Sequence, residues 1–247
     1  MSKETEKNNP KDLATGEIVE DVLGLDMRGL KSIYALWVKP REYFQAAKQA
    51  NWNNIYTPSV RLWLFFFALF SVLKFWWLEN NPAMIGAYIV GFEEARLTEP
   101  EGVSFEEIAQ EMLQLTFAIL PFLQIAVLGL LSFVYPFWGR PLSRALRQRY
   151  FFAIMIPSAS LMPVLLTGMV FITSEYIELY SYSLALTAFL LHFMVSYRGV
   201  FYDFTLGKRL FLSGLMAFVV VALSTLLGVV TQIGGIVYIS MQYGLSP

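Results

Sequence analysis

One run of nineteen residues, Val60 to Leu78 (VRLWLFFFALFSVLKFWWL), limits the folds open to this chain more than any other feature. As a helix rising about 1.5 Å per residue it covers roughly 28 Å, close to the ~30 Å hydrocarbon core of a bilayer. Apolar groups surround it on every face, so it is not an amphipathic helix resting on a soluble core. Trp63 near one end and Trp76 and Trp77 at the other are placed as interfacial aromatics. Upstream, Thr57 is expected to cap the helix and Pro58 to sit in its first turn, where a missing N–H is no loss.

The rest of the chain continues the same pattern. With 56% hydrophobic, 16% aromatic and only 15% charged residues, the composition lies outside the range of soluble domains. Five spans are expected, at about 60–78, 112–134, 150–173, 179–197 and 210–230. Pro157 and Pro163 should kink the third. Between the first two spans, Met84 to Phe92 is apolar but too short to cross, and Ser104 with Glu107 has the spacing of a capping box. The expected fold is all-α: a polytopic membrane protein with a five-helix transmembrane bundle and N-terminal interfacial amphipathic helices. Residues 57–247 form its membrane domain.

Charge separates along the chain. Sixteen of the eighteen Lys and Arg residues precede the first span or its third residue, or fall in the second-to-third and fourth-to-fifth connections; Lys74 and Arg96 are the exceptions. The positive-inside rule then places the N-terminus in the cytoplasm and the C-terminus outside, which an odd number of spans satisfies. The first outer connection is acidic, from Glu79 to Glu111, and is expected to be a solvated face, since no EF-hand spacing occurs in it. Residues 1–26 mix charges with few large apolar groups and are expected to be a disordered cytoplasmic tail. They contain no signal-peptide core, so the first span is expected to act as the insertion signal.

Residues 27–56 read as an interfacial amphipathic segment. Leu30, Ile33, Tyr34 and Trp37 recur at helical spacing, Pro40 interrupts, and Tyr43, Phe44 and Ala47 resume the stripe among Arg28, Lys31, Lys39, Arg41 and Lys48. Such helices suit an anionic headgroup layer. The same pattern also fits a lid packed on the span ends, and periodicity does not choose between the two.

The candidate chemistry is sparse. The chain has no cysteine, which excludes disulfides, thiolate metal sites and a cysteine nucleophile, and its single histidine, His192, makes a zinc centre untenable. His192 falls inside the fourth span with Ser196 one turn on, while Ser224 and Gly228 lie on one face of the fifth. These four form a candidate intramembrane polar seam, either a packing surface or the lining of a substrate path. Arg140, Arg144, Arg147 and Arg149 cluster in one short loop as candidate contacts for lipid phosphate. No nucleophile motif, phosphate-cradling glycine loop or paired catalytic carboxylates occurs in context. The chain is therefore expected to be non-enzymatic, with no cofactor and no bound metal.

Two stretches carry a resemblance. Leu36-Trp37-Val38-Lys39-Pro40-Arg41-Glu42-Tyr43-Phe44, then Tyr56-Thr57-Pro58-Ser59-Val60-Arg61-Leu62-Trp63, resemble the entry segment of a bacterial multi-pass inner-membrane family of unknown function. The five-span layout with a long acidic first outer loop and a cytosolic tail is similar to that of the Yip family, whose eukaryotic members are linked to Rab GTPases and vesicle traffic. The chain does not carry the first family's N-terminal Cys-x-x-Cys-Gly motif. Nor does it carry the histidines after its basic loop, where Tyr150-Phe151-Phe152-Ala153 stands, so no metal site follows from the resemblance. The resemblance implies a bacterial inner-membrane protein acting through lipid or protein contacts, in membrane organisation or traffic. The alternative is a permease or lipid-handling carrier with a path between spans three, four and five. Expected partners are membrane lipids, anionic on the cytoplasmic side, and a membrane-protein partner or a second copy, with no nucleic acid.

Overall fold

A computed structural model describes residues 27–49 and 51–244. The expected disordered tail, residues 1–26, lies outside the described residues. Among those described, the chain forms eight α-helices and no strand. They are α1 (Met27–Val38), α2 (Pro40–Ala46), α3 (Ser59–Glu79), α4 (Pro82–Glu94), α5 (Phe105–Leu131), α6 (Arg144–Met169), α7 (Ile177–Val195) and α8 (Leu206–Tyr243). Five of them, α3 and α5 to α8, are long and apolar enough to cross a membrane. The protein is an all-α polytopic bundle.

Local chemistry sets the helix ends, and they differ from the hydropathy limits. Ser104 and Glu107 make the expected capping box, so α5 starts seven residues before the apolar stretch that suggested it. Ser143 caps α6 by accepting from the Leu146 N–H, and α6 therefore begins within the basic loop. Pro58, not Thr57, occupies the cap position of α3. Thr57 is instead drawn into the entry segment: its N–H donates to Ser32 Oγ at 2.8 Å and its carbonyl accepts from the Tyr43 hydroxyl at 3.0 Å. The largest departure is α8, whose 38 residues measure roughly 57 Å. The apolar face continues past Val230 through Thr231, Gly235 and Ile239, which are buried against α4 and α5.

The spanning helices form a ring in the order α3, α6, α7, α8, α5, with α5 closing only loosely on α3. Basic residues gather at one end of this bundle and acidic residues at the other, because successive crossings alternate direction. The larger buried cluster lies at the basic end and includes Leu36, Tyr43, Phe44, Trp52, Trp138, Tyr150, Phe151 and Phe201. A smaller one, built from α4, α5 and the end of α8 around Ile85, Phe92, Ile108 and Ile239, closes the acidic end. Apolar side chains such as Val72, Phe75, Phe122, Val164, Leu186 and Phe218 point outward from the spans, as a lipid-facing surface requires.

α6 is the hub of side-chain bonding. Pro157 and Pro163 interrupt its backbone ladder, and hydroxyls beside them bond back to its own carbonyls: Ser158 to Met155, Ser160 to Pro157, Thr167 to Pro163. Two of those hydroxyls then accept from other elements. The indole N–H of Trp37 on α1 donates to Ser160 Oγ at 2.9 Å, and that of Trp77 on α3 to Thr167 Oγ1 at 3.2 Å.

Candidate functional site

His192 is buried on α7 where Pro157 interrupts α6. Its Nδ1 lies 3.2 Å from the Ile154 carbonyl and its Nε2 3.4 Å from Ser158 Oγ. A neutral imidazole with the proton on Nδ1 donates to the Ile154 carbonyl, and Nε2 then faces Ser158, whose one proton serves either the Met155 carbonyl or the ring. The ring therefore ties α7 to α6. Ser196, one turn on, is fully buried, as is Ser213 on α8, and neither hydroxyl has a hydrogen-bond partner among the described residues. The other two seam residues do not join them. Ser224 and Gly228 are only partly buried, and a Cβ built on Gly228 has nothing within 4 Å. Close approach occurs instead at Gly199, against Phe44 and Pro40 of α2, while Gly235 lies at ordinary contact distance from Met112 and Leu115 of α5. A run of small residues marks one helix face but does not say which of them a neighbour reaches.

The four loop arginines are brought together at the basic end, yet three of them serve the protein itself. Arg140 donates to the Val200 carbonyl at 2.8 Å and pairs with Asp203 at 3.3 Å. Arg147 donates to the Phe133 carbonyl, and Arg149 to that of Ala47 while stacking 4.8 Å from the Trp52 ring. These are carbonyls of helix ends and loops, groups that need a donor. Arg144 alone among the four is exposed without such a contact. At Asp203, partial burial disfavours the charge, but hydrogen bonds from Tyr202 and Arg140 and the charges of Lys48 and Arg140 outweigh it. The carboxyl is held below its ordinary value.

The entry segment lies differently from a simple surface helix. Tyr43 and Phe44 of α2 are buried against the bundle, not turned to lipid. Phe44 meets Tyr150 edge-on at 4.9 Å, and the Tyr150 hydroxyl donates to the Phe44 carbonyl. Burial pushes the Tyr43 phenol up, so it remains a neutral donor. The lid reading is thus the right one for α2. The outward face of α1 is another matter: Met27, Leu30, Tyr34 and Val38, at one-turn spacing, remain exposed, Met27 at 65% and Tyr34 at 60%.

α2 rests on a π-helical turn, Ser196–Val200, that ends α7. The extra residue per turn presents Gly199 to the entry segment so closely that a Cβ there would lie 2.4 Å from the Phe44 ring and 3.2 Å from Pro40. This approach creates a groove of about 340 Å³ lined by Lys39, Pro40, Arg41, Arg198, Tyr202 and Arg209. Each guanidinium is held on one side. Arg198 donates to the Val38 carbonyl at 2.9 Å, Arg209 Nε to that of Tyr197 at 2.7 Å, and Arg41 lies 4.1 Å over the Tyr202 ring. Lys39 pairs with Glu42 at 3.3 Å, but among the described residues no carboxylate pairs with Arg41, Arg198 or Arg209. Sequence reasoning missed this groove because its cations come from three places, the α1–α2 junction, the π turn and α8. The one available signal was that Arg198 and Arg209 flank a short connection opposite Lys39-Pro40-Arg41. No protein-family model matches the chain, and neither a curated protein nor a solved structure shows significant similarity to it.

Proposed function

We propose that this is a non-catalytic bacterial inner-membrane protein that works through contacts with anionic lipid at a cytoplasmic, basic end, in a Yip-like role in membrane organisation. One observation supports this reading above the others. Among the described residues, thirteen Lys and Arg side chains occupy one end of the bundle with only Glu42 and Asp203, while the opposite end holds the other ten carboxylates. Excess positive charge beside an apolar, outward-facing α1 suits a surface with negative headgroups and an acyl layer below them. The positive-inside rule supports the cytoplasmic assignment of that end.

The test is to reconstitute the full chain into nanodiscs of phosphatidylcholine alone or with phosphatidylglycerol. The reading expects a higher melting temperature with the anionic lipid, and a difference that shrinks as salt rises from about 0.05 to 0.5 M, because screening weakens exposed charges. Equal stability in the two lipids at low salt would overturn it.

A further inference from the structure

Within that basic end the groove between the α1–α2 junction and the π turn is distinct, because its cations are prearranged. Tyr197 and Tyr202 hold two guanidinium planes by their ring faces, at 3.7 Å for Arg209 and 4.1 Å for Arg41. Gln45 Nε2 fixes the Tyr202 hydroxyl at 2.8 Å, so the platform under Arg41 is itself anchored. Arg198 and Arg209 each make one hydrogen bond to a carbonyl, which leaves most of a guanidinium's five donors unused. A planar fork with free N–H groups matches phosphoryl oxygens pairwise, and the loss of side-chain freedom has already been met by the stacking. A volume of about 340 Å³ lies at the lower end of the range for small-molecule sites, roughly 300–1,000 Å³, too small for a peptide but enough for one phosphorylated group.

We propose that this groove binds a single phosphate-bearing anion, with its phosphoryl oxygens held by Arg41, Arg198 and Arg209. The proposal rests on the anionic-lipid reading above and narrows it from a charged face to one site. Two sources share the chemistry: a lipid headgroup with a terminal phosphate, or free phosphate. The groove adjoins Val38, the last residue of the exposed apolar face of α1, so a lipid could keep its chains on that face while its phosphate enters the groove.

The experiment titrates the full chain, in phosphatidylcholine nanodiscs, with short-chain phosphatidate and separately with inorganic phosphate. Saturable binding of phosphatidate is expected, with Arg41→Gln and Arg209→Gln each weakening it at least tenfold and Arg144→Gln leaving it within twofold. Arg198→Gln also removes the anchor to Val38, so Arg198→Lys is the paired variant. It keeps the charge, loses the fork, and should bind weakly while the protein melts as usual. Arg41 is exposed and only stacks, so Arg41→Gln should fold normally and its result is decisive. Displacement of phosphatidate by millimolar inorganic phosphate would identify a free-phosphate site; failure to displace it would identify the lipid headgroup as the ligand. Binding that is equal in Arg41→Gln, Arg209→Gln and Arg144→Gln overturns the proposal, and does so without touching the general preference for anionic bilayers measured in the nanodisc melts.

Discussion

At the scale of single residues the tightest constraint is Gly199 against Phe44. The ring of Phe44 is buried and cannot swing aside, so Gly199→Ala should destabilise the protein by about 1–3 kcal/mol, the usual cost of overpacking. Gly228→Ala, with open space around its Cβ, should be neutral or mildly stabilising, by about 0.5–1 kcal/mol, as expected for glycine replaced within a helix. Thermal melts in one detergent compare the two; equal losses would contradict the packing described. Phe44→Ala should cost about 3–5 kcal/mol and release the entry segment, read as faster tryptic cleavage at Arg41 and Lys48. Asp203 supplies a pH test. Its folded carboxyl is depressed, so its contribution is complete above the ordinary carboxyl range near pH ~4 and disappears as pH falls through the lower folded value. Asp203→Asn should flatten the acid limb of a melting-temperature profile; an unchanged limb would mean the Arg140 pair contributes nothing measurable.

At the scale of elements, much of the fold was legible. Each span was visible in hydropathy because a lipid-facing helix must be apolar all round, and the Ser104–Glu107 spacing gave its cap directly. What was not legible follows from what hydropathy measures. It reports apolar length, so it ended the last span near Val230, where Gln232, Gly234 and Gly235 dilute the run, although α8 continues to Tyr243. Helical periodicity likewise shows that a face is buried but not against what. The stripe of Tyr43 and Phe44 turned out to meet protein, while that of Met27, Leu30, Tyr34 and Val38 is open. The open face leads to a prediction, made simple by a chain with no native cysteine. A spin label at Tyr34→Cys should be relaxed more by oxygen than by a water-soluble nickel complex, and one at Gln49→Cys the reverse. Water-like relaxation at Tyr34 would remove α1 from the lipid.

At the scale of the whole molecule, the account depends on which way the bundle crosses. The site was only half legible here: the arginine loop was visible as charge, but only coordinates show that Arg140, Arg147 and Arg149 serve carbonyls while Arg41, Arg198 and Arg209 share a groove. All of those cations belong to one end, and its assignment to the cytoplasm is the central claim. Single cysteines placed at exposed Glu101, beyond α4, and at exposed Arg144, at the start of α6, sample the two ends. With a membrane-impermeant maleimide, Glu101→Cys should be labelled in intact cells once any outer barrier is opened, and Arg144→Cys only after the inner membrane is broken. Labelling of Arg144→Cys in intact cells with Glu101→Cys protected, or of both alike, would contradict the account.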